Sequence, residues 1–372
     1  MKAKDIWNIC WPLLLLLAAE TLILFIDVDI QPYFFSLLLL YIVLSFLLHM
    51  VVHELGHLIF GLLTGYAFLS YRIFSWSIIQ VNGRIVLKKQ KQNAALGQAL
   101  MVTNEKWDPE NYPYQLYMSG GLIFNAKALV IAVVLYQLSV LPMIPVLIFS
   151  AIAVFFLLSN GVPRELNDGA VLKKGRQSKE YRKMMYHQLW TIYYLFNGKA
   201  LSQLPLESFE RSESIPLEDP YTVYVMRLSY YKELFEFRFD SAFEILEQQY
   251  EAVDKLTIYD KIMLKAEKLF CLSIQQRATE AKELFQDAEI QAFKGREFVT
   301  IKRVLAAYFL FVEVDSKKAL TFVEEGLKLI QTDVLDPQLK TEEILLRWLE
   351  KSVSERKEWL LFNESKSDTI LE

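Results

Sequence analysis

Cysteine is nearly absent from this chain. Its 372 residues hold two, Cys10 and Cys271, far apart and in stretches of different character. That excludes a disulfide framework and a cysteine-built metal site. An excess of one charge is lacking too: 40 Lys and Arg face 44 Asp and Glu, a formal net charge of −4. A nucleic-acid partner has no electrostatic support. No small-residue cleavage signature follows the first apolar run, so that run reads as an anchor and not as a removed leader. What the chain has in quantity is apolar residues, 53% of the sequence, with a mean hydropathy of +0.22. They concentrate in roughly the first 160 positions, which reads as a membrane half followed by a soluble half.

Four candidate spans follow from the apolar runs: 11–27, 33–65, 115–138 and 146–158. Trp7 and Trp11 suit the membrane interface at the start of the first. The second exceeds the roughly 20 residues a bilayer needs, so it tilts, bends or projects. Between the second and third, 71–81 and 84–88 are rich in β-formers and flank Asn82-Gly83, a strong hairpin signal. The stretch 93–113 reads as a polar connection, and 160–169 as a helix-breaking one. Basic residues precede span one, fill the loop after span two (Arg72, Arg84, Lys88, Lys89, Lys91, Lys106) and follow span four (Lys173, Lys174, Arg176). The connections near Asp29 and Pro142 carry none. The positive-inside rule then places both termini and the hairpin loop in the cytoplasm.

In the later half of span two stands His53-Glu54-Leu55-Gly56-His57. On a helix this HExxH spacing puts two imidazoles one turn apart on one face, where they can share Zn²⁺, with the intervening Glu as general base. Buried histidines paired with each other or with backbone are the alternative. Ionisable side chains in a spanning helix are costly, however, and mark sites or wet cavities. A third protein ligand is needed. His49 shares the face, but it lies on the order of 12 Å along the axis from His57, so it is expected beside the metal and not on it. Asp168 is the better candidate, because it follows span four, which ends on the side of the histidines.

With Asn160-x-x-Pro163-x-x-x-x-Asp168-Gly169 beyond the HExxH, residues 10–172 resemble the site-2 protease family of intramembrane zinc metalloproteases. That family carries Asn-x-x-Pro-x-x-x-Leu-Asp-Gly, whose Asp is the third zinc ligand; here Asn167 stands in place of the leucine. Its Gly-Pro-x-x-Asn element is matched by Gly121-Leu122-Ile123-Phe124-Asn125, without the proline. The hairpin around Asn82-Gly83 is similar to the family's membrane-associated hairpin, whose edge pairs with unwound substrate. The resemblance implies Zn²⁺ on His53, His57 and Asp168, Glu54 as base, and Asn125 polarising the scissile carbonyl or holding the substrate strand. A plain interhelical hydrogen bond is the bland reading of Asn125.

After a basic, aromatic amphipathic stretch at 176–199, suited either to the membrane surface or to packing as a linker helix, a weak repeat begins. Ala242, Ala281 and Ala319 stand 39 and 38 residues apart, each at the start of a helix that follows another helical run. This resembles tetratricopeptide-like hairpins, which stack into a concave surface for peptides or proteins; a plain helical bundle is the alternative. The expected organisation is mainly α: a polytopic membrane core with a β-hairpin at 1–172, an amphipathic linker at 173–220, helical repeats at 221–360 and a tail at 361–372. The expected protein is a multi-pass zinc metalloendopeptidase, most readily of a bacterial plasma membrane, cutting a transmembrane or membrane-associated peptide. A cytosolic protein or peptide is a further possible partner, bound by the repeats. A catalytically silent adaptor acting through its repeats is the alternative. Glu20 and Lys127 fall at comparable depth in spans one and three and are expected to pair, the alternatives being that Lys127 snorkels to the cytoplasmic interface or that Glu20 is protonated.

Overall fold

A computed structural model describes residues 33–81, 83–89, 96–164, 167–330 and 339–368. The first expected span and Glu20, hence the Glu20–Lys127 pair, lie outside the described residues. The fold is mainly α, with one small sheet. The chain divides into two compact units, broadly before and after Arg176, with 81–84 and 105–112 grouped with the second.

Among the described residues of the first unit, three helices are long and apolar enough to cross a membrane: α1 (Phe34–Leu63), α2 (Tyr114–Gln137) and α3 (Met143–Gly161). Their ends lie within three residues of those of the expected second, third and fourth spans, and they pack pairwise against one another. On α1 the buried stripe recurs every fourth residue: Ser45, His49, His53, His57, Gly61. Leu40, Leu44, Leu48 and Leu62 face outward. A soluble helix has the opposite polarity; polar inside and leucine outside suits lipid as solvent. Helix α3 ends at Gly161, and a new helix, α4 (Asp168–Gln177), starts at the expected third ligand.

The sheet is larger than the expected hairpin. Its strands are β1 (Ala67–Ile73), β2 (Trp76–Val81), β3 (Arg84–Lys89) and β4 (Gly97–Val102), in the order β3-β2-β1-β4. The first β-rich run breaks at Phe74, whose φ of 52° turns the chain back between β1 and β2. Strand β4 corrects the reading of 93–113 as a plain connection. Its sequence, Gly-Gln-Ala-Leu-Met-Val, is poor in β-branched residues; its state is set by antiparallel pairing with β1, Tyr71 opposite Ala99.

In the second unit, α5 (Lys179–Phe196) buries Met184, Met185, Tyr186, Leu189 and Trp190 and packs on α6 (Pro220–Phe235). The stretch 173–220 is therefore largely folded into the helical unit and is not a free linker. Three helical pairs follow: α6 with α7 (Phe239–Tyr250), α8 (Ile258–Ile274) with α9 (Ala278–Phe285), and, after the short α10 (Ala288–Phe293), α11 (Val299–Phe311) with α12 (Ser316–Ile330). Each pair turns on one left-handed residue, Phe237, Gln276 and Val314. Five residues later stands the repeat alanine, 0% exposed in all three pairs. The 39- and 38-residue spacing is thus a spacing of corners as well as of packing positions. A last helix, α13 (Leu339–Asp368), continues through most of the stretch read as a tail. It packs on α12, on α11 and also on α6, so the array closes on itself.

Candidate metal centre

The site is assembled where α1, α2, the α3–α4 turn and β4 meet. His53 and His57 lie one turn apart on α1 and turn their Nε2 atoms toward each other, 3.2 Å apart. Asp168 Oδ2 lies 3.1 Å from His53 Nε2 and 3.2 Å from His57 Nε2. Three ligand atoms thus form a nearly equilateral triangle. A tetrahedron with zinc–ligand arms of about 2.05 Å has edges of about 3.3 Å, so the triangle is one face of such a site with the fourth corner left over.

Donor counting points the same way. His57 Nδ1 lies 2.9 Å from the Tyr117 carbonyl, which can only accept. His57 Nδ1 therefore carries hydrogen, and in the neutral ring the lone pair is then at Nε2. Asp168 Oδ2 is buried, and among the described residues it meets the two Nε2 atoms and no hydrogen-bond donor of good geometry. Lone pairs converging on one point repel unless a cation lies between them. The residues present fit a metal ion, and these three form a group able to hold one.

Close helix approach makes the geometry possible. A Cβ on Gly56 would stand 2.2 Å from the Gly120 carbonyl oxygen, and one on Gly121 2.4 Å from the His53 ring. Glycine at these positions lets α2 lie directly against the HExxH turn. Asp168 is set by Asn167, the N-cap of α4. Its Oδ1 accepts from Ala170 N and Arg164 N, and its Nδ2 donates to the carbonyls of Ser159 and Val162. One side chain ties the end of α3 to the start of α4.

Glu54 is adjacent but faces the sheet. Its Oε2 accepts from Ala99 N at 2.7 Å, while the Ala99 carbonyl accepts from the Tyr117 hydroxyl at 3.0 Å. Both polar groups of Ala99 thus face the site from the edge of β4 that β1 leaves free. A cavity of about 200 Å³ opens beside Glu54 and His53, walled by Met50, Phe156, Gly97 and Asn160. Tyr71, opposite Ala99, donates to the Val51 carbonyl. Burial, and secondarily the Glu54 charge, push its phenol up to about 12, so it stays a neutral donor.

Asn125 is fully buried and is not directed into the cavity. Its amide bridges His53 Nδ1, at 3.1 Å, and His49 Nδ1, at 3.0 Å. His49 is held off the metal triangle, as its axial distance predicts, with its Nε2 3.1 Å from the Phe149 carbonyl of α3. Lys127 is exposed on α2, its Nζ 5.9 Å from the ring centre of Phe60 and 5.7 Å from that of Phe124. The roles of Asn167 and of β4 were beyond sequence reasoning: one stood at a mismatch to a family pattern, the other in a stretch without strand character. Comparison with protein-family models, curated proteins and solved structures finds no match to this chain.

Proposed function

We propose that the protein is an intramembrane zinc metalloendopeptidase that hydrolyses a peptide bond of a transmembrane or membrane-associated substrate. One observation carries the reading. Two Nε2 atoms and a carboxylate oxygen stand at tetrahedral-edge distances on a helix long and apolar enough to cross a membrane, with an acidic side chain beside them and space next to it. Zinc held by His53, His57 and Asp168 would supply Lewis acidity toward a water and the scissile carbonyl. Glu54 takes the proton of the attacking water and returns it to the leaving amine. The backbone of Ala99 holds that carboxylate at the rim of the cavity until a substrate strand displaces or joins it. Asn125, which the family resemblance would place on the scissile carbonyl, acts instead through His53.

By the positive-inside rule, the basic residues flanking the spans would put the active site toward the cytoplasmic side of a plasma membrane. The helical unit would recruit substrate or a regulator from that side. Because α13 packs on the first and last helical pairs, such a partner would be read by an outer face and not by an open concave one.

Substrate trapping tests the reading. Glu54→Gln should retain about one zinc per chain and accumulate an uncleaved membrane peptide, because the ligand set is untouched. His53→Ala, His57→Ala and Asp168→Ala should each lose the metal. A Glu54→Gln chain that processes its peptide at the wild-type rate would exclude the protease mechanism and favour the adaptor.

A further inference from the structure

The bridge His53–Asn125–His49–Phe149 has more partners than donors. Phe149 offers a carbonyl oxygen, which only accepts, so His49 Nε2 must carry hydrogen. In the structure the Asn125 amide oxygen faces His49 Nδ1 at 3.0 Å, and in that orientation this nitrogen must carry hydrogen too. His49 would then be an imidazolium, with 0% exposure, on a helix whose outer face is leucine. The amide nitrogen would at the same time donate to His53 Nδ1, forcing the His53 proton onto Nε2, the atom that belongs to the metal triangle. Turning the amide by 180° removes both conflicts. Neutral His49 donates from Nε2 to the Phe149 carbonyl, 3.1 Å away, and accepts at Nδ1 from the amide nitrogen. The amide oxygen then accepts from His53 Nδ1–H, 3.1 Å away, and His53 Nε2 keeps its lone pair. Each contact along the bridge then pairs one hydrogen with one acceptor, and neither histidine needs a charge.

We propose that Asn125 and His49 are positioning residues that fix His53 in its metal-binding tautomer, with the Phe149 carbonyl as the fixed end of the relay. This rests on the metal-centre reading above. It replaces a direct contact of Asn125 with substrate by an action through a ligand. Asn125 is the switch, because its two ends have nearly the same shape and opposite hydrogen-bonding character. One orientation goes with the Nε2–H tautomer, which cannot bind a metal, and the other with the Nδ1–H tautomer, which can. His49 selects between them, since only the second lets it remain neutral. Its ring is packed against Phe149, with centroids 4.1 Å apart, so it cannot swing away to accommodate the first. Ligating histidines elsewhere are oriented by a carboxylate or carbonyl in this position, and loss of that partner typically costs 10–100-fold in metal affinity.

The test is Co²⁺ titration of the metal-free, detergent-purified full chain, read by its d–d absorption and needing no substrate. His49→Phe keeps the ring stacking but offers no acceptor, and should weaken Co²⁺ binding about 10–100-fold. His49→Gln can accept from Asn125 and donate to Phe149, and should bind nearly as wild type. Asn125→Leu should weaken binding as His49→Phe does, and the double His49→Phe, Asn125→Leu no further. Asn125→Asp separates the two amide orientations even if His49→Phe does not fold. A carboxylate can accept from His53 Nδ1–H but cannot donate to it, so affinity should hold. Wild-type affinity in His49→Phe, additive losses in the double, or metal loss in Asn125→Asp would each overturn the relay. The expected Co²⁺ pattern across the set, with no proteolysis by the wild-type chain, would remove the protease reading and leave the relay standing. A wild-type chain that binds no Co²⁺ would remove the metal centre and the relay with it.

Discussion

Asn167 stands where the expected Asn-x-x-Pro-x-x-x-Leu-Asp-Gly pattern carries leucine, and its side chain holds the turn that presents Asp168. Four hydrogen bonds converge on its amide, two at each end. Leucine there would leave the α4 cap and two turn carbonyls unsatisfied. Asn167→Leu is therefore expected to lower metal occupancy and to destabilise by about 1–2 kcal/mol, although leucine is what the expected sequence pattern carries there. Metal per chain and a denaturation midpoint measure this; full occupancy at wild-type stability would show the cap to be dispensable. Cys271 is the opposite kind of residue, reactive in type and silenced by place. Burial pushes its thiol up to about 12, and the structure holds it against the Tyr230 hydroxyl. At pH 8 only about one thiol in ten thousand is then ionised, against roughly a quarter for a free cysteine. In a Cys10→Ser background, alkylation at pH 8 should stay negligible until denaturant is added. Its rate should rise about tenfold per pH unit while the fold holds. Rapid labelling of the folded chain would mean that the α6–α8 contact opens.

At the scale of elements, the helix contacts are set by what is missing from side chains. Gly56 and Gly120 face each other across α1 and α2, and the atoms a Cβ would strike are backbone, which cannot rotate away. Gly56→Ala should push the helices apart and reduce both folded protein and bound metal. Gly295→Ala meets nothing within 4 Å and should change stability by less than about 0.5 kcal/mol. Equal expression and metal content for the two variants would refute the close approach. The three described apolar helices, the HExxH face and the place of Asp168 were legible because each is local: an apolar run, an i,i+4 spacing, a break at a helix end. Ala242, Ala281 and Ala319 were legible because a repeat writes its packing position three times. The corners five residues before them were not, since Phe237, Gln276 and Val314 share no residue type that favours a left-handed backbone. Strand β4 was not legible because pairing with β1 makes it a strand, and the Glu54–Ala99 contact was not because it joins residues 45 apart.

For the molecule as a whole, each unit is organised around a buried polar cluster, and the second cluster shows how the helical array closes. Arg303 of α11 is 0% exposed. Its Nε donates to Glu342 of α13 at 2.7 Å, and its Nη2 donates to Glu267 of α8 at 2.6 Å. Tyr231 of α6 donates to both carboxylates, Tyr230 to Glu267, and Thr300 to Glu342. Four helices from the beginning, middle and end of the unit are thereby joined through one guanidinium. In an open solenoid each repeat touches only its neighbours; here the last helix is bonded to the first. A buried ion cluster is weak evidence for stability, but removing one partner strands the rest. Arg303→Met should cost about 3–5 kcal/mol in denaturant unfolding of the helical unit, because two carboxylates lose their counter-charge inside the core. The triple replacement Arg303→Met, Glu267→Leu, Glu342→Leu should recover most of that loss. Metal content should be unchanged in both, since His53, His57 and Asp168 all belong to the other unit. A triple variant less stable than the single would mean that the hydrogen bonds of Tyr230 and Tyr231 to the carboxylates, and not the charge balance, hold α13 in place. An unchanged midpoint in Arg303→Met would mean that apolar packing alone closes the array.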